Sequence, residues 1–438
     1  MLRGSLLNRS DPCRFSQIHK PKMEKRSLQE PDDFGKTHER MLSLDAFRGF
    51  VIGSMLLVNM TWNESVFPQQ FFHVPWNDPQ QGATFADLVF PWFLFIAGAS
   101  IPFSIASRRR RGISHTGIVV SAAKRAVTLY LLGVLLTVAG SAYTQPLSWN
   151  NLLQWNILQL IGAAYFIAVC IWCLPSCWRI GFVVLILAIR WITMMVPSWE
   201  AASALAETRA PTDAPMGPHT WAHFDALRQI YSFEHLKPSY WKTFFSWFGA
   251  SQEYLPGAAI AVLGGLTSSF LATNRTFRGA SRVVLTGSTI VLVSFLLQYD
   301  YVPTGGGILG DFTIPFSKWF FSPAYCLLAA GTAMLLFVGF FVVIDLYHWT
   351  TAWWLRVWGM NALALYVAAE VTFKMVLTKW LVRLPDGESD SLAAGFLAWT
   401  EHATGSAAVA GWSFVLSWLA IWWLACWWFY RRGIFIRV

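Results

Sequence analysis

Apolar residues run in blocks of roughly twenty along most of the chain, with short polar stretches between them. The blocks fall near 42–60, 84–106, 117–140, 151–173, 180–197, 254–272, 283–299, 319–344, 356–378 and 408–430. About twenty apolar residues is the length at which an α-helix crosses the hydrocarbon of a bilayer. A helix also satisfies its own backbone there, as an isolated strand cannot. The pattern predicts an all-α, polytopic membrane helical bundle of about ten transmembrane helices. An even number of spans returns both termini to one side. No internal repeat of the transporter kind is evident.

Charge decides which side that is. Arg108 to Arg111 follow the second block, Arg275, Arg278 and Arg282 the sixth, and Arg431 and Arg432 the last. If every block spans, these clusters share one side, and an excess of arginine and lysine marks it as cytosolic. Both termini are therefore expected in the cytosol. Loops 61–83 and 141–150 contain no Lys or Arg and lie opposite. Segment 198–253, rich in Trp, His and Pro, is read as an extracytoplasmic cap. Residues 1–40 are polar and basic with no apolar core, which argues against a signal peptide and for a disordered cytosolic tail. Met23 and Met41 are alternative starts, and no function attaches to this segment. The membrane domain then covers 41–438.

Composition fits that frame. Hydrophobic residues make up 55% of the 438 and charged residues 13%, against about 25% charged in ordinary soluble domains. Mean hydropathy is +0.44. Many of the 25 tryptophans sit at block edges, as Trp353, Trp354, Trp422 and Trp423 do, where interfacial belts form. The net charge of +9 raises the question of nucleic acid, but the basic residues gather in loops where topology accounts for them. Cys170, Cys173 and Cys177 have helical spacing. No His or further Cys pair completes a metal set, so small apolar packing is the reading and no metal is expected.

The candidate chemistry lies in the first two blocks and the loop between them. Asp45 and Arg48 are three apart and share a helix face at the cytosolic end, as a structural ion pair or a binding group. Asn59 comes fourteen residues after Asp45, about 21 Å further along a helix, where it serves as interhelical glue or as a site residue. His73 stands in the outer loop, solvated or catalytic. Thr84 and Asp87 form a T-x-x-D helix start, so Asp87 is a cap, a site residue or both. Pro91 has no N–H for the Asp87 carbonyl, which leaves a backbone acceptor free at the same place. Asn59, His73 and Asp87 are thus expected to converge near the outer face.

Together these strings are more specific. RMLSLDAFRGF with Val58–Asn59, then FFHVPWN, then GATFADLVFPWFLFIAGASI, resemble the heparan-alpha-glucosaminide N-acetyltransferase family of transmembrane acyltransferases. Weaker matches follow in NILQLIG (156–162), PFSKWFFSPAY (315–325), Asp345, and WGMNALALYVAAE (358–370). The resemblance covers about residues 40–430. It departs from the family pattern at Leu160, where a basic residue is usual, at Asn156, where glycine is, and at Ala369, where histidine is common. The loop glycine after Trp76 is displaced by Asn77-Asp78-Pro79. These departures leave the acyl-transfer machinery in place and bear on the acceptor sugar.

What the resemblance implies is an acetyl-CoA-dependent N-acetyltransferase. It would move an acetyl group from cytosolic acetyl-CoA to the amino group of a glucosamine-type sugar outside. His73 would be the base or nucleophile, Asn59 an amide donor to the thioester oxygen, and Asp87 the group that orients the imidazole. Asp45, Arg48 and Asn361 would serve the donor, and Trp76 and Glu370 the acceptor. The implied partners are glucosamine or a glucosamine-terminated glycan and the lipid bilayer of the cell (inner) membrane, without nucleic acid; a homodimer stays open. A sugar permease, or an acyltransferase for a different cell-envelope glycan, remains as the alternative.

Overall fold

The computed structural model describes residues 41–74, 82–141, 156–195, 251–298, 316–318, 320–349 and 352–436. The expected tail, most of the expected cap, and Trp76 lie outside them. A helix occupies each of the ten apolar blocks. The first are α1 (Leu42–Asn59), α2 (Phe85–Ala99), α3 (Ile101–Arg110), α4 (His115–Ser141), α5 (Ile157–Cys173), α6 (Ser176–Met195), α7 (Ser251–Thr273) and α8 (Phe277–Gln298). Then come α9 (Pro323–Phe340), α10 (Trp353–Met360), α11 (Ala362–Thr372), α12 (Leu392–Thr404) and α13 (Ala407–Arg431). α2 and α3 meet at Ser100 and together form one apolar stretch, Phe85–Arg110. α9 runs on through a π-helical turn, Phe341–Leu346.

Seven of these stretches are long and apolar enough to cross a membrane. An eighth joins them if α10 and α11 count as one span, bent by 72° beside Asn361. α5 is apolar but shorter, at 17 residues. The block near 356–378, read from sequence as one helix, is therefore broken. One small hairpin also departs from the all-helical expectation. It pairs β1 (Leu381–Arg383) with β2 (Ser389–Ser391), Val382 opposite Asp390, just before α12.

The helices differ in how much of themselves they bury. α1 and α7 are each 72% buried over their apolar windows, whereas α4 and α8 are 22% buried. Leu131 and Leu135 on α4 and Leu285 and Leu292 on α8 are exposed. Contiguous exposed apolar faces of this kind are what a lipid-facing helix presents. The centre holds Phe47, Phe95 and Phe337, all fully buried, with Phe47 stacked on Phe337 at 5.8 Å.

Two pairs of glycines set how closely the central helices approach. A Cβ on Gly49 would fall 1.8 Å from the Leu355 carbonyl oxygen, and one on Gly359 would fall 2.0 Å from that of Asp45. α1 and α10 are thus in backbone contact, each through a glycine of the other's partner face, as in membrane helix pairs built on small residues. Gly98 and Gly264 do the same for α2 and α7, at 1.8 Å from Ala261 O and 2.0 Å from Phe95 O. The start of α1 is closed from a distance. Met41, its N-cap, has no side-chain oxygen to offer. The Asp345 carboxylate at the end of the α9 extension accepts instead from Leu42 N at 3.1 Å, Ser43 N at 3.3 Å and the Ser43 hydroxyl. Those N–H groups are among the orphans every helix start leaves.

Gly359→Ala is therefore expected to lower stability by about 1–3 kcal/mol, the usual range for forcing a methyl group into a packed contact. Thermal unfolding in detergent measures it. Gly181→Ala on α6, where no atom lies within 4 Å of the added Cβ, should leave the transition in place.

Candidate active site

The site is built around the start of α2. Thr84 precedes the helix in extended conformation, and the Asp87 carboxylate turns back to accept from Thr84 N at 3.2 Å. That is the acidic half of the capping arrangement expected from T-x-x-D. The same oxygen, Oδ2, accepts from Val74 N at 3.3 Å. The other oxygen, Oδ1, lies 2.9 Å from His73 Nδ1. The Thr84 hydroxyl donates to the Phe72 carbonyl at 2.7 Å and so ties the loop before His73 to the helix. Asp87 is 1% exposed, while the His73 side chain is 44% exposed. A buried carboxylate thus holds a histidine that remains open to ligand.

The geometry fixes the histidine's tautomer. An ionised carboxylate only accepts, so the proton in the 2.9 Å contact is on Nδ1, and the lone pair of a neutral ring is at Nε2. A carboxylate that holds an imidazole this way sets both its orientation and its basic nitrogen.

The carbonyl that Pro91 leaves without an N–H donor has found another. Tyr325 Oη donates to Asp87 O at 2.6 Å. Tyr325 opens α9, and the turn before it, 316–322, delivers Lys318. Lys318 Nζ is 3.1 Å from His73 Nε2, 3.0 Å from Nδ1 and 3.8 Å from Asp87 Oδ1. The turn is well held. Ser322 Oγ accepts from Ser317 N at 3.1 Å, and Arg190 Nε on α6 donates to the Phe320 carbonyl at 2.9 Å. Phe321 takes a positive φ of 44°, a conformation that bulky residues adopt only when their surroundings impose it. Burial pushes the Lys318 ammonium down to about 8, with Asp87 acting in the opposite direction.

Asn59 takes a different partner from the one expected. It is the last residue of α1, and its Nδ2 donates to Glu370 Oε1 on α11 at 2.9 Å. Lys374 Nζ lies 3.8 Å from the other Glu370 oxygen. The structure therefore forms two polar groups from the residues named for the outer face: His73 with Asp87 and Lys318, and Asn59 with Glu370 and Lys374. Asp45 and Arg48, near the opposite end of α1, are paired at 3.1 Å. Asn361 is buried at the α10–α11 bend. Its Nδ2 donates to the Ile434 carbonyl at 3.1 Å, and its Oδ1 accepts from Ile436 N at 2.9 Å. Among the described residues no group of three or more His, Cys, Asp or Glu could hold a metal.

Asn59, His73, Thr84 and Asp87 fall within a region shared with known proteins, and Lys318, Tyr325 and Glu370 lie beyond it. Residues 40–212 match the sequence profile described as heparan-alpha-glucosaminide N-acetyltransferase, catalytic. Over those residues the chain is similar to this family. It is 37% identical over 128 residues to the heparan-alpha-glucosaminide N-acetyltransferase of Homo sapiens, covering 29% of this chain and 18% of that one. The mouse protein of the same name is 34% identical over 138 residues, covering 32% of this chain and 20% of its own. The alignment thus spans about a fifth of each relative's length.

Lys318, Tyr325 and Lys374 are members of the site that sequence reasoning did not single out; the first two bear on His73. The signal was present, since both fall in the 315–325 string, but a lysine in a turn before an apolar helix reads as an interfacial charge. Only the fold shows that both meet Asp87, Lys318 at its carboxylate and Tyr325 at its carbonyl.

Competitive labelling with acetic anhydride across pH, read peptide by peptide, should show Lys318 titrating near 8. Its charge is present below that pH and lost above it. Asp87→Asn removes the one group that raises the value, so the midpoint should move lower still. A midpoint with the ordinary lysines would mean that the side chain is not buried against this pair.

Proposed function

We propose that this protein is a transmembrane N-acetyltransferase. It moves an acetyl group from acetyl-CoA, entering from the cytosol, to the amino group of a glucosamine-type sugar on the other side of the membrane. The observation that carries the reading is the Asp87–His73 pair: a buried carboxylate fixes Nδ1–H and leaves Nε2 as the basic nitrogen of an exposed ring.

Acyl transfer to an amine needs that nitrogen. A sugar amine attacks only when neutral, and His73 Nε2 is suited to take its proton, a role typically worth about 10²–10⁴-fold. In a second route Nε2 attacks the thioester first and the amine resolves an acetyl-imidazole. Both begin from the tautomer that Asp87 selects. Glu370, held by Asn59 and near Lys374, offers a carboxylate to the acceptor's ammonium or hydroxyls. Trp76, three residues from His73, supplies an aromatic face for the sugar. Asn59 adds an amide donor at the same end of α1.

The donor end follows from charge and length. Acetyl-CoA is anionic, and Arg48 with its planar guanidinium is suited to phosphate. Asp45 orients it at 3.1 Å, and Asn361 is the third residue assigned to this end. About 21 Å of helix separates Asp45 from Asn59, a gap that the pantetheine arm bridges. The orientation with both termini cytosolic and the His73 loop outside rests on the arginine clusters. The membrane proposed is the cell (inner) membrane.

The test is to incubate purified protein with labelled acetyl-CoA and a panel of amino sugars and to identify the product by mass. His73→Ala should lose about 10²–10⁴-fold in transfer with acetyl-CoA binding nearly unchanged. Near wild-type turnover would leave the histidine as a solvated loop residue. Arg48→Ala should weaken acetyl-CoA binding more than sugar binding; unchanged donor affinity in a folded variant would assign the pair to structure.

A further inference from the structure

Lys318 is a charged group to which the reading above gives no task. Its turn is braced by Ser317, Ser322 and Arg190, so the backbone that carries Lys318 is set by the fold. Nζ lies 3.0 Å from Nδ1 and 3.1 Å from Nε2, against the ring as a whole rather than along one lone pair. A positive charge this close to the ring opposes a second proton on His73 for as long as the contact lasts. The contact ends when the ammonium finds another acceptor, and cleavage of a thioester creates one, because sulfur leaves carrying an electron pair.

We propose that Lys318 is the general acid of the acyl transfer, delivering a proton to the departing CoA sulfur while His73 takes one from the attacking amine; the proposal rests on the acetyltransferase reading. The step balances. The lone pair of the sugar nitrogen forms a C–N bond to the acetyl carbonyl carbon. The tetrahedral adduct collapses, and the C–S bond breaks with its electrons on sulfur. One proton of the sugar nitrogen goes to Nε2, and one proton of Nζ goes to sulfur, giving the amide and the free thiol. The site is left with an imidazolium and a neutral amine in contact. Transfer from Nε2 to Nζ restores both, with no proton drawn from solvent.

The surroundings suit a proton donor rather than a fixed cation. Lys318 faces His73 from the loop and Asp87 from α2, with Tyr325 of α9 on the Asp87 carbonyl and Arg190 of α6 on the neighbouring Phe320 carbonyl. Burial brings its acidity to about 8, close to that of a cysteine thiol at about 8.5. Donor and acceptor of such matched strength exchange a proton readily in either direction.

The leaving group provides the test. Transfer to glucosamine is measured with acetyl-CoA and with the acetyl thioester of 4-nitrothiophenol, whose thiolate leaves without a proton. Lys318→Met and Lys318→Arg should lose about 10²–10⁴-fold with acetyl-CoA and only a few-fold with the aryl thioester. The arginine keeps the charge beside Asp87 but holds its proton too tightly to donate. In Lys318→Ala, added alkylammonium ions should restore part of the acetyl-CoA rate, more for the more acidic ions. Equal losses with both donors in variants that melt like wild type, recovery of the acetyl-CoA rate by arginine, or no response to alkylammonium would overturn the acid role and leave the acetyltransferase reading standing. Wild-type protein that transfers acetyl from neither donor would overturn the reading and this role with it.

Discussion

The buried carboxylate of Asp87 is the constraint on which the site depends. A charge that is 1% exposed at the first turn of an apolar helix is costly unless its lone pairs are met. Here they are met by His73 Nδ1, Val74 N and Thr84 N. Two of these donors belong to the loop that carries the histidine, so satisfying the charge also shapes the loop. The backbone of the same residue makes a second demand. Pro91 cannot donate to the Asp87 carbonyl, and Tyr325 Oη takes that place. Tyr325 brings with it the turn that bears Lys318. One buried charge and one missing N–H therefore draw a loop, a helix start and a distant turn, more than two hundred residues apart in sequence, to a single point.

α1 acts as the axis between this point and the rest of the bundle. Its last residue, Asn59, reaches Glu370 on α11. Its first turn is capped by Asp345 from the end of the α9 extension, and its first half packs, backbone to backbone, on α10 through Gly49 and Gly359. The two glycines belong to two of the strings that carry the family resemblance, and the contact explains their residue type: any side chain would drive the helices apart. The bend that follows at Asn361 needs its own compensation, because a break exposes backbone groups that a straight helix would have paired. The buried Asn361 amide instead grips the extended chain at Ile434 and Ile436.

Much of this architecture is legible in the chain because the bilayer imposes a length. Ten apolar blocks give ten helical regions, and the block boundaries fall within a few residues of most helix ends. The 72° bend at Asn361 is not legible in that way, since apolar length carries no information about direction. The hairpin 381–391 is too short to leave a periodic signal. At the site, the T-x-x-D cap and the free Asp87 carbonyl were accessible because both are local, whereas the pairing of Asp87 with His73 was an expectation of the family resemblance. The partner of Asn59 was not accessible. Asn59 and Glu370 are 311 residues apart, and their meeting depends on how α1 and α11 pack. Lys318 shows the same limit from the other side: a motif string can be matched letter by letter while the work of one letter in it stays hidden until the fold places it.

The two ends of α1 differ in what they leave open, and that difference bears on how ligands would compete with the protein itself. At the Arg48 end, the guanidinium is engaged by Asp45, and the Asn361 amide is occupied on both sides by chain. A ligand there has to replace partners that already exist, so its net affinity is the difference between two sets of charged or amide hydrogen bonds. At the His73 end, the side chain is 44% exposed, and its ring meets one ammonium, that of Lys318. A reacting group there displaces a single contact. Under the acetyltransferase reading this places discrimination at the end where the donor enters and keeps the chemical end ready to react. A thioester would then be selected by its carrier before its carbonyl reached His73.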